Sequence, residues 1–122
     1  MGAVASSSTR DWEELFDRAD DCVQETIKML PENVKQEAET VPCILKKWPS
    51  SRGKHRLLGI FRNFTPGVTS ESKGPIELYL GNIADLCEED KISFEDEVRQ
   101  TYLHELGHHL GLDEGDLDRL GL

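Results

Sequence analysis

Residues 98–114 read VRQTYLHELGHHLGLDE, and within them His104-Glu105-Leu106-Gly107-His108 sets two histidines four residues apart with a glutamate directly after the first. Ser93, with Asp96 three residues on, resembles a capping box, so the spacing predicts a helix over 94–110 that Gly111 ends in a left-handed cap. At about 100° per residue, with His104 at 0°, His108 falls at about 40° and Glu105 at about 100°. Both imidazoles therefore share a side of the helix one turn apart, close enough for one tetrahedral Zn2+ to bridge. Glu105 sits beside them, near such an ion without aiming at it. Gly111, at about −20°, lies where a bulky side chain would obstruct the site. Asp113 and Glu114 follow at ligand distance in sequence. A shuffled chain of this composition would contain the pattern roughly once or twice in a hundred, so the spacing is informative.

Working outward from this helix, Ile76, Leu78 and Leu80 alternate with Glu77 and Tyr79, which predicts a strand with one buried face. Asn82 and Asp85 suit the start of a short helix through Cys87. Residues 65–74 are polar and carry Gly and Pro, a loop pattern. RLLGIFRNF at 56–64 reads as a strand, and 49–53 as a loop. Val41, Cys43 and Leu45 alternate beside Pro42, which confines that stretch to a sheet edge. From 11 to 30 the apolar residues Trp12, Leu15, Phe16, Ala19, Val23, Ile27 and Leu30 recur at helical spacing, with Ser8 or Thr9 available as the cap. Pro31 ends that helix and opens a shorter turn over 31–39. Residues 113–120 suit one last short helix.

The chain has 122 residues, 14 Lys+Arg against 24 Asp+Glu and a formal net charge of −10. That balance argues against a nucleic-acid partner, which needs a basic excess to displace counterions. No apolar run approaches the roughly 20 residues of a membrane span, and no secretory signal is visible, so no membrane partner is expected. Residues 1–10 read as a flexible tail and 11–122 as one domain. MGAVAS fits the loose lipidation pattern at Gly2, but that pattern is short and the expected reading is a small-residue tail. Cys22, Cys43 and Cys87 form no metal-type pair, and are expected as partly buried thiols in a cytoplasmic protein. Lys46, Lys47, Arg52, Lys54 and Arg56 cluster locally, as does His55. A solvated surface is the expected reading of that patch. The sequence carries no signal for oligomeric state.

HELGHHLGLDE resembles the extended signature H-E-x-x-H-x-x-G-x-x-(H/D), and the chain from 11 to 122 is similar to small bacterial zincin-like metallopeptidases of minimal zincin fold. RLLGIF, PIELYLG and the ending VRQTYLHELGHHLGLDEGDLDRLGL carry the resemblance. It implies an α+β fold: a small mixed β-sheet packed on an N-terminal helix and on the C-terminal helix that bears the motif. It further implies one Zn2+ held by His104, His108 and a third ligand at the position of Glu114. That residue is Glu here where His or Asp is usual, and Asp113 is its rival. Glu105 would act as general base on a water activated by the ion, and the substrate would be a peptide. A sheet strand beside the active-site helix would hold that peptide by β-addition, a role assigned to Ile76, Glu77, Leu78, Tyr79 and Leu80. Tyr79, Tyr102 and His109 are the available types for oxyanion stabilisation, His109 being read first as a hydrogen-bonded structural residue. The alternative function is a zincin-shaped module that binds metal or protein without hydrolysis, favoured by the small size and by Glu114.

Overall fold

The computed structural model describes residues 10–49, 58–61, 75–111 and 115. The expected last helix, Asp113 and Glu114, and most of the basic cluster lie outside them. Helix α1 (Trp12–Lys28) buries Leu15, Ala19, Val23 and Thr26 along one stripe. Its cap is Asp11, whose side chain accepts from the Glu14 N–H at 3.1 Å, in place of the expected Ser8 or Thr9. Arg10, assigned to the tail by sequence, is instead tied to the first helix after the sheet through Asp85 (2.7 Å) and Glu88 (3.2 Å). Pro31 separates α1 from α2 (Glu32–Glu39).

Strands β1 (Cys43–Lys46), β2 (Gly59–Phe61) and β3 (Ile76–Tyr79) form a mixed sheet in the order β1-β3-β2. β1 runs parallel to β3 with Cys43 opposite Ile76 and Leu45 opposite Leu78; β2 runs antiparallel with Gly59 opposite Leu78. β1 is an edge, as Pro42 requires. β3 is the centre, and the alternation rule fails there. Glu77 is buried along with Ile76, Leu78 and Tyr79, because a central strand is covered on both faces. Its carboxylate accepts from the Tyr79 hydroxyl at 2.8 Å and has the Lys46 ammonium at 3.6 Å, which lowers the cost of burying it.

The strand stops at Tyr79 and α3 (Leu80–Asp90) begins two residues earlier than the Asn82 signal suggested. The switch is held from outside: the Gly81 N–H donates to Lys47 O at 2.8 Å. Trp48 lies so close over Gly81 that a Cβ there would overlap its ring. Trp48 in turn meets Trp12 edge-on at 5.7 Å, and Lys47 lies over the Trp12 ring. Helix α4 (Phe94–His109) starts at Ser93, whose hydroxyl accepts from the Asp96 N–H as expected. It packs on α1, α3, β2 and β3, so the fold is the expected α+β arrangement of a small mixed sheet on N- and C-terminal helices. No helix among the described residues is long and apolar enough to cross a membrane.

Candidate metal centre

α4 is anchored by a buried stripe of Val98, Tyr102 and Leu106, all at most 2% exposed. Each such side chain contributes about 1.5–3 kcal/mol of burial. The stripe points roughly 120–200° around the helix from His104. Burying it leaves His104, Glu105 and His108 on the flank, half-buried. The two imidazole centroids are 5.0 Å apart with ring planes at 79°. A tetrahedral Zn2+ with Zn–N near 2.0–2.1 Å separates two ligating rings by about 5 Å, so this pair fits one ion. Among the described residues no three side chains of metal-binding type converge.

Gly111 has φ +88°, the left-handed conformation expected of it, and its N–H donates to His108 O at 2.9 Å. That conformation favours glycine, and a Cβ there would meet nothing within 4 Å among the described residues. His109 is buried and its Nε2 lies 3.2 Å from a Glu37 carboxylate oxygen, the structural histidine foreseen by sequence. The pair fastens the last turn of α4 to α2.

Two expectations about the surroundings are overturned. Ile76, Glu77, Leu78 and Tyr79 cannot take a peptide by β-addition, because β3 is hydrogen-bonded on both edges, and Leu80 belongs to α3. The strand beside the motif is β2, paired on one side only among the described residues. Nor do Tyr79, Tyr102 and His109 face the site. Tyr79 is spent on Glu77, Tyr102 is 0% exposed in the core, and His109 is paired to Glu37. Of the basic cluster, Lys46 serves Glu77 and Lys47 covers Trp12.

A depression of about 360 Å3 opens directly beside His104 and Glu105. Gly59 of β2 and Leu58 just before it form one wall, and Glu97, Gln100 and Thr101 of α4 the other. The sequence analysis missed these three, although 97, 100, 101, 104 and 105 follow the i, i+3, i+4, i+7, i+8 rule for one helix face. Gly59 lets β2 approach: a Cβ there would sit 2.8 Å from Thr101 Cγ2 and 3.0 Å from Glu77 O.

The helix that bears the motif therefore packs against a small mixed sheet, with its paired imidazoles on the same helix that meets β2. The sequence profile of the zincin-like metallopeptidases matches residues 32–122, and the chain belongs to that family. The match takes in the sheet, α3 and α4, and leaves α1 outside it. Membership implies zinc and a peptide substrate in general. No curated protein matches the chain.

Proposed function

We propose that the protein is a zinc-dependent peptidase that hydrolyses peptide bonds with Glu105 as general base. The observation that carries this reading is the His104–His108 pair, held one turn apart at a 5.0 Å centroid separation on an anchored helix. Glu114 is the third ligand in this reading, supplied after the chain turns at Gly111, with Asp113 as its rival. His104, His108 and that third residue would hold the Zn2+, which when bound would supply Lewis-acid polarisation of the scissile carbonyl and make the attacking water more acidic. Glu105, adjoining His104 on the depression side, accepts the water proton and returns it to the leaving amine. The peptide lies extended along β2, whose edge away from β3, unpaired among the described residues, offers backbone donors and acceptors near that carboxylate. One ion is sufficient for this chemistry.

The test is zinc content with peptide hydrolysis. Wild type and Glu105→Gln should both hold one zinc per chain, and only wild type should turn over. Equal rates would remove Glu105 from the mechanism. Zinc retained with no hydrolysis by wild type would favour the non-catalytic module. Glu114→Ala and Asp113→Ala, compared for zinc affinity, identify the third ligand: the true one should cost at least tenfold and the other little.

A further inference from the structure

α4 opens with three consecutive acids, which its positive N-terminal end favours. Two of them are neutralised by partners. Glu95 receives Arg18 through two bonds at 2.7 and 3.0 Å, and Asp96 receives Arg99 at 3.0 and 3.2 Å. Glu97 differs. It is half-buried, meets no cation among the described residues, and lines the depression that His104 and Glu105 share. The Thr101 hydroxyl donates to its Oε2 at 3.2 Å, which orients the carboxylate and leaves acceptor sites on it. Helix position explains why an acid stands there, but not why this one faces the same depression as the motif.

We propose that Glu97 sets the substrate class of the site: the depression takes a lysine or arginine side chain of the extended peptide, and Glu97 pairs with its cation. The proposal rests on the peptidase reading for the placement of the peptide, though not for the binding itself. Geometry suits a long side chain. Seven residues separate Glu97 from His104, about 10 Å along the helix, which an arginine side chain and one hydrogen bond together span. Leu58 supplies an apolar wall for the methylene stem, and Glu97 receives the charged head. The net charge of −10 draws cationic peptides toward the surface before the local pairing selects among them.

The test uses the full chain carrying Glu105→Gln, supplied with zinc, and fluorescein-labelled ten-residue Ala/Ser peptides with a central Arg, Lys, Leu or Glu. Arg and Lys peptides should bind about tenfold tighter than the Leu peptide, and the Glu peptide weakest. Adding Glu97→Gln, which keeps an acceptor for Thr101, should abolish the preference, and Glu97→Lys should favour the Glu peptide. Asp21→Asn makes the same charge change on the exposed face of α1 and should leave the ratios alone. A preference that survives Glu97→Gln, one that falls equally with Asp21→Asn, or binding of none of the peptides overturns the proposal. With Glu105 intact, Glu97→Gln should raise KM for the Arg peptide about tenfold at unchanged kcat. Binding selectivity that tracks Glu97 without any hydrolysis by zinc-loaded wild type sinks the peptidase reading alone. Hydrolysis indifferent to basic residues sinks this inference alone.

Discussion

Gly59→Ala tests the close approach of β2 to the motif helix. The backbone at Gly59 is outside the left-handed region, so alanine is conformationally permitted and the cost is steric. The new Cβ would lie 2.8 Å from Thr101 Cγ2, 3.0 Å from Glu77 O and 3.1 Å from Leu78 Cδ2, where carbon contacts normally settle at about 3.5–4.0 Å. None of the three yields easily. Thr101 is β-branched on a helix, Glu77 O belongs to the doubly paired central strand, and Leu78 is fully buried. Overpacking of this kind costs about 1–3 kcal/mol, offset by about 0.4–1 kcal/mol because alanine restricts the unfolded chain. The net expectation is a loss of about 1–2 kcal/mol. Thr101→Ser removes the clashing methyl and keeps the hydroxyl that Glu97 accepts, so it should relieve about 1 kcal/mol in the Gly59→Ala background. Urea unfolding followed by far-ultraviolet dichroism and by Trp12 and Trp48 fluorescence measures both, with coincident transitions as the check on two-state behaviour. Gly59→Ala within 0.3 kcal/mol of wild type, taken as roughly the limit of additivity between sites, would refute the reasoning, as would a double variant no better than the single one.

Tyr102→Phe should leave stability unchanged or raise it by about 1 kcal/mol, because the Tyr102 hydroxyl is buried with no partner among the described residues. A loss above that size in thermal unfolding contradicts it. The three thiols should resist alkylation at pH 8. Burial pushes Cys43 up to about 12, with the Asp20 charge adding to it, and Cys87 up to about 11, and it raises Cys22 as well. Iodoacetamide should therefore label folded Cys43 at least about a hundredfold more slowly than the urea-unfolded chain, by mass spectrometry; equal rates would refute its burial. The Arg18 hydrogen bond holds Glu95 below its ordinary value, so that pair's contribution is complete above the unfolded glutamate pKa near 4.5 and is lost as pH falls through the depressed folded value. The pair is partly exposed and worth only about 0.2–1 kcal/mol, and Arg18→Met should remove this slope of stability between about pH 5 and 3.

α1 was legible because its apolar residues repeat at helical spacing over four turns or more, and α4 because Ser93 and Gly111 punctuate it with their own chemistry. Pro42 likewise announced an edge strand. What escaped depends on partners distant in sequence. Leu80 continues the alternation of Ile76 and Leu78, and only the Gly81 bond to Lys47 and the Trp48 ring above it turn the chain into α3 at that point. Glu77 was read as facing solvent because periodicity cannot show that β3 lies between β1 and β2. The site divides the same way. His104, Glu105 and His108 are neighbours on one helix, so spacing alone places them together. The β2 wall of the depression is brought in by sheet order, which no local pattern encodes.

α4 is held by several of its neighbours. Val98, Tyr102 and Leu106 hold it to the core, Thr101 abuts β2 at Gly59, Glu95 is gripped by Arg18 of α1, and His109 is fixed to Glu37 of α2. Rotating the helix by even the 40° that separates His104 from His108 would break all four contacts at once. The imidazoles can therefore adjust to an ion only through their own χ angles, and the backbone that carries them is set before any ligand arrives.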